Sequence, residues 1–170
     1  MGLLWCLSAV MLQAARVDTV LVRSAAMNKD VKVVYVLPDK AIGKQACPVV
    51  YLLHGYGGNA RSWVQLKPEL PQMADEKGII FVCPDGKNSW YWDSPENPAY
   101  RYETFVTSEL VKYTDGNYAT IPDSKARAIS GLSMGGHGAL WSAIRHKDVF
   151  GAAGSMSGGV DIRPFPRIGK

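Results

Sequence analysis

Residues 17–24 (VDTVLVRS) alternate apolar and polar side chains, and residues 31–36 (VKVVYV) do so less strictly. A period of two marks a strand with one buried face. Met27, Asn28, Lys29 and Asp30 lie between the two segments and predict the turn of an antiparallel hairpin. Residues 48–53 (PVVYLL) and 79–83 (IIFVC) are instead continuous apolar runs. Such runs mark strands covered on both faces, as in a parallel sheet between helices. Residues 62–77 contain helical stretches broken by Pro68 and Pro71. Proline is tolerated in a first turn, so a second helix is expected to start near Pro71 and stop at Gly78. From Tyr102, apolar residues recur at Phe105, Val106, Leu110 and Tyr113, a helical period that ends at Asp115-Gly116. Residues 126–129 read as a strand leading into Gly131-Leu132-Ser133-Met134-Gly135, residues 136–146 as a helix, and residues 152–156 as a short last strand. The order β-β-β-α-β-α-β-α-β predicts one α/β domain, its sheet mostly parallel with antiparallel N-terminal strands.

Composition narrows the function. The 170 residues are 47% hydrophobic and 20% charged, enough apolar matter for one packed domain. The net charge of +4 is mild. Basic residues form no run and are not interleaved with aromatic ones, so nucleic acid is not an expected partner. No metal site is expected, because HExxH, CxxC and clustered His/Asp are lacking. The glycine-rich segments lack the trailing Lys-Ser/Thr of a phosphate loop, and no cofactor is expected.

Residues 1–15 carry no charged side chain and are mostly apolar from Leu3 to Leu12. That length is short of the roughly 20 residues needed to span a bilayer. It reads as the apolar core of an export signal, with small residues at Ala14 and Ala15 before Arg16. No Lys or Arg precedes it, and the alternative is a buried N-terminal helix. The expectation is a secreted or periplasmic protein with a signal peptide at 1–15, cytoplasmic if the stretch is not a signal. Cys6 would leave with it. Cys47 and Cys83 then fall at opposite ends of two parallel strands, roughly 15–20 Å apart at about 3.3 Å per residue. A disulfide needs Cα atoms within about 7 Å, so both are expected as unpaired, buried thiols.

Ser133 carries the chemistry. It sits in G-x-S-x-G between a strand and a helix rich in small residues, the context of a nucleophile elbow. The helix N-terminus behind it offers free N–H donors and positive potential where an oxyanion would form. His54-Gly55-Tyr56-Gly57-Gly58 follows the third strand. Its glycines allow close backbone approach, so the Tyr56 N–H and the Met134 N–H are the expected oxyanion hole. His54 is expected to pin this loop by hydrogen bonds. His137, one helical turn past Ser133, is expected to pack or hydrogen-bond and not to act as the base. The aromatic loop from Pro84-Asp85-Gly86 through Asn88-Ser89-Trp90-Tyr91-Trp92-Asp93-Ser94-Pro95 has two readings of equal standing. Trp90 and Tyr91 either wall a substrate pocket or pack within the loop.

The segments HGYGG, PDGKNSWYWDSP, RYETFVTSEL and GLSMGGHGAL, in this order and spacing, resemble the Putative-esterase family of α/β-hydrolases. That family includes S-formylglutathione hydrolases, feruloyl and acetylxylan esterases, tributyrin esterases and bacterial mycolyltransferases. The resemblance covers about residues 17–161. It implies the α/β-hydrolase fold and a serine carboxylic-ester hydrolase with Ser133 as nucleophile. The expected substrates are short-acyl, carbohydrate or phenolic esters. Alternatives are an acyltransferase of the same fold and a truncated, inactive hydrolase-like binding module. The family places its triad in the chain order Ser, acid, His. After Ser133 the chain offers Asp148, Asp161, His137 and His146, and no histidine follows Asp161. The expectation is therefore an N-terminal portion, residues 16–170, that lacks the last strands and the triad acid and histidine.

Overall fold

Tyr35, Tyr51, Ile80, Val82 and Ile129 lie on one face of a central sheet, and Val34, Val36, Leu52, Phe81 and Cys83 on the other. Both faces are buried, as the continuous apolar runs require. The computed structural model describes residues 15–161. The expected signal segment lies outside the described residues except for Ala15.

Strands β1 (Arg16–Ser24) and β2 (Lys29–Leu37) form the antiparallel hairpin. Its turn is residues 25–28, two positions earlier than the pattern suggests. Asn28 takes the left-handed backbone there with φ 49°, a conformation its short amide tolerates. A short helix α1 (Asp39–Ile42), not foreseen, leads to β3 (Val49–Leu53). Helices α2 (Ser62–Leu66) and α3 (Leu70–Lys77) follow, α3 with proline at its start and left-handed Gly78 as its C-cap. Strand β4 (Ile80–Pro84) is next. The helix after it runs as α4 (Tyr102–Thr104), a π turn (Phe105–Glu109) and α5 (Leu110–Asn117). It therefore continues past the expected stop at Gly116. Strand β5 (Arg127–Leu132), helix α6 (Met134–Arg145) and strand β6 (Ala152–Met156) complete the described chain.

The six strands are ordered β1-β2-β4-β3-β5-β6. Strands β4, β3, β5 and β6 run parallel to one another, and β2 is antiparallel to β4. The α/β architecture expected from the sequence is thus present. From β3 the chain crosses through α2 and α3 to β4, and from β4 it returns through α4–α5 past β3 to β5. Parallel crossovers share one hand, so reversing direction puts the two connections on opposite faces. Consistent with this, Trp63, Leu70 and Ala74 pack on the Val34 face and Phe105, Val106 and Leu110 on the Tyr35 face. The chain leaving β3 and the chain leaving β5 diverge to opposite faces, which opens a crevice at their carboxyl ends.

Cys47 and Cys83 are free and buried, as expected. Burial alone pushes the Cys83 thiol well above its ordinary pKa. No helix among the described residues is long and apolar enough to cross a membrane.

Candidate active site

Ser133 stands at that crevice. It is the N-cap of α6 with φ 54° and ψ −117°, and it is exposed to solvent. An L-residue avoids this region, at a cost of about 1–3 kcal/mol, unless its surroundings impose it. Here they do. The Ser133 N–H donates to the Met156 carbonyl of β6 at 2.8 Å, and its carbonyl accepts the His137 N–H at 3.0 Å. A Cβ on Gly131 would lie 2.3 Å from the Gly135 backbone, and one on Gly135 would lie 2.2 Å from the Leu53 carbonyl oxygen. The elbow can therefore press α6 against β3 and β5 only if both positions lack side chains. Among the described residues, the Ser133 hydroxyl has no hydrogen-bond partner.

The loop after β3 meets the serine. A Cβ on Gly55 would lie 3.5 Å from the Ser133 Cβ, so backbone passes directly beside the nucleophile. Leu53 pairs with Gly131 in the β3–β5 ladder, which sets the two loops level. Met134 is the first residue of α6, so its N–H has no acceptor one turn back. Tyr56 is 67% exposed. The structure thus brings Ser133 and the loop bearing Tyr56 together, with Met134 adjoining the serine.

His54 is 2% exposed and binds in two directions. The Gly86 N–H donates to its Nε2 at 2.9 Å, so the proton is on Nδ1, which donates to the Gly55 carbonyl at 2.7 Å. It pins the loop and has no lone pair left for Ser133. Asp85 lies 3.7 Å from His54 and 2.8 Å from the Lys87 ammonium. Burial works to raise the Asp85 carboxyl, but the bonds from the Lys87 ammonium and N–H outweigh it and hold it far below the usual carboxylate range. Asn88 accepts the Gly57 N–H at 2.8 Å, a second tie between these loops.

Trp90 and Tyr91 part company. Both have left-handed backbones, with φ of 55° and 60°. Tyr91 has no exposed surface, and its hydroxyl donates to the His54 carbonyl at 3.1 Å. Its burial pushes the phenol well above its ordinary pKa. A residue so placed does not wall a pocket; it supports the loop from behind, and the pocket expectation for Tyr91 is corrected on that ground. Trp90 remains half-buried, its ring against His137 at 5.4 Å. Trp92 Nε1–H donates to His137 Nε2 at 2.9 Å, which places the His137 proton on Nδ1, facing the Gly159 carbonyl at 2.6 Å. His137 therefore packs and hydrogen-bonds, as expected. His146 Nε2–H donates to Glu103 at 2.8 Å. All three histidines of the chain are engaged away from Ser133.

A groove of about 810 Å³ between α4–α5 and α6 is lined by Trp92, Glu103, Thr107, Trp141 and Arg145, among others. None of the candidate site residues lines it. Its Glu103 accepts from Trp141, Arg145 and His146, so its polar capacity is already committed within the protein. No group of three or more His, Cys, Asp or Glu among the described residues could hold a metal ion.

Known proteins share this fold and sequence pattern. The chain is 28% identical to an acetyl esterase of Caldicellulosiruptor saccharolyticus, over 86% of its own length and 58% of that protein. It is 34% identical to the diacylglycerol acyltransferase/mycolyltransferase Ag85A of Mycobacterium gordonae, over 85% of its length and 43% of that protein. A solved ferulic acid esterase superposes with a TM-score of 0.75 at 31% identity, covering 86% of this chain and 61% of that one. The chain thus spans about half the length of these curated relatives. Over residues 24–166 it matches the Putative esterase family, and it belongs to that family.

Proposed function

We propose that the chain carries the nucleophile and oxyanion hole of a serine hydrolase acting on carboxylic esters through an acyl-enzyme on Ser133. The observation that carries this reading is the exposed Ser133 at φ 54°, ψ −117°, with the Gly55 backbone against it. The Ser133 oxygen attacks the ester carbonyl, and its proton passes to a general base. The oxyanion of the tetrahedral intermediate accepts from the Tyr56 and Met134 N–H groups. Collapse breaks the bond to the alcohol, which leaves with that proton. Water then attacks the acyl-enzyme and gives a proton to the same base, and collapse releases the acid as that proton returns to the Ser133 oxygen. His54, His137 and His146 are committed to other bonds, so none of the three is placed to serve as that base.

The substrate reading is a short-acyl, carbohydrate or phenolic ester, with half-buried Trp90 as one wall of the pocket. The relatives named acetyl esterase and ferulic acid esterase support it. Export from the cytoplasm is part of the same reading. The test uses the full-length protein and p-nitrophenyl acetate or butyrate. Hydrolysis is expected, and Ser133→Ala should lower it by about 10⁴-fold or more. Undiminished turnover in that variant rejects the assignment.

The 34% identity to a mycolyltransferase favours a second reading, in which a sugar hydroxyl replaces water at the acyl-enzyme. Product analysis with an added sugar acceptor separates them: acylated sugar indicates transfer, free acid alone indicates hydrolysis.

A further inference from the structure

We propose that Asn88 is a positioning residue of the oxyanion hole, holding the Tyr56 N–H in its productive direction through the Gly57 amide. The inference rests on the esterase reading above. A trans peptide group is planar, with its C=O and N–H pointing opposite ways, so fixing one end aims the other. The peptide between Gly55 and Tyr56 has its oxygen held twice, by His54 Nδ1–H at 2.7 Å and by the Gly58 N–H at 3.0 Å. Its N–H, that of Tyr56, is thereby turned the other way. The next peptide, between Tyr56 and Gly57, is held at its N–H by the Asn88 side-chain oxygen at 2.8 Å. Only φ and ψ of Tyr56 lie between these two planes. With both planes held, neither torsion is free.

Packing does not duplicate this restraint. Tyr56 is 67% exposed, and nothing lies within 4 Å of where a Gly57 Cβ would stand. Gly57 has φ 76°, so the loop tip turns on a residue with wide conformational freedom. Asn88 is a firm anchor for it. Its own loop is fastened by the Gly86 N–H to His54 and by Lys87 to Asp85. The bond from Asn88 is exposed, so water replaces it at little cost to folding, and its removal acts on the loop's aim.

The test is steady-state hydrolysis of p-nitrophenyl butyrate by full-length wild type, Asn88→Ala and Asn88→Asp in 0.5 M salt, which screens the new exposed charge. An oxyanion donor acts in the transition state, so loosening it lowers kcat and leaves KM in place. Asn88→Ala is expected to lose about tenfold in kcat, less than the 10²–10³ of outright donor removal. KM should stay within about twofold and Tm within about 2 °C. Asn88→Asp keeps an acceptor oxygen and should recover most of kcat. Amide exchange at Gly57 should quicken in Asn88→Ala and not in Asn88→Asp. Unchanged kcat in Asn88→Ala, a loss in KM alone, or equal losses in both variants overturns the proposal. An inactive wild type rejects the esterase reading itself and takes this inference with it.

Discussion

Ser133 is held in a backbone conformation that L-residues avoid, and the strain has a measurable sign. With φ 54° and ψ −117°, an L-residue there costs about 1–3 kcal/mol, which glycine avoids. Glycine also gives up about 0.5–1 kcal/mol through its freer unfolded chain. Ser133→Gly is therefore expected to be more stable than Ser133→Ala by about 1 kcal/mol, or about 2–4 °C in Tm, with both inactive. Thermal unfolding of the two variants decides it; a lower Tm for the glycine variant would mean the elbow is unstrained. Ser133 was legible in the sequence because G-x-S-x-G encodes close backbone approach, and Gly131 and Gly135 do press backbone on backbone. Trp90 and Tyr91 were not separable. They are adjacent in a loop without periodicity, and only the contacts of Tyr91 with His54 and Gly138 turn it inward.

The helix from Tyr102 to Asn117 shows the same division between local and long-range causes. Its apolar period was readable, but its π turn was not. Glu109 in that turn accepts from Ser24 Oγ and the Ala26 N–H of the β1–β2 hairpin, partners more than 80 residues away in sequence. At its other end Glu103 clamps the helix to α6. Burial works to raise the Glu103 carboxyl, but bonds from Arg145, Trp141 and His146 outweigh it and hold the carboxyl below its ordinary value. A carboxylate depressed in the folded state gives stability that is full above its unfolded pKa, about 4.3, and is lost as pH falls through the lower folded value. Glu103→Gln should be less stable by about 2 kcal/mol at pH 7, because charge-assisted bonds are lost. It should also lose less than wild type between about pH 5 and pH 3. Urea unfolding across that range checks both. Parallel pH profiles would remove Glu103 as a source of acid sensitivity.

At the scale of the whole molecule, the strands were legible and their neighbours were not. Each apolar run marks a buried strand, but the order β4-β3-β5 depends on crossovers of 26 and 42 residues that no local pattern encodes (from Leu53 to Ile80, and from Pro84 to Arg127). That order also sets two unlike edges. Strand β1 carries Arg16, Asp18 and Arg23 and pairs them with charges, Arg16 with Asp18 and Arg23 with Asp30. Charged side chains on an edge deter pairing with another chain. Strand β6, the last strand among the described residues, reads AAGSM; only Gly154 in it is half-buried and the rest are exposed. Among the described residues no strand pairs with its outer edge, and the strand carries no charge to guard it. The 170-residue chain alone is therefore expected to self-associate through β6, with its apparent mass rising with concentration in light scattering. Ala153→Lys places a charge on that edge and should restore the monomer. Leu21→Lys adds the same charge to the 63%-exposed Leu21 of the guarded β1 edge and should leave association unchanged. Equal effects of the two substitutions would assign the association to net charge and reject the β6 edge as its cause.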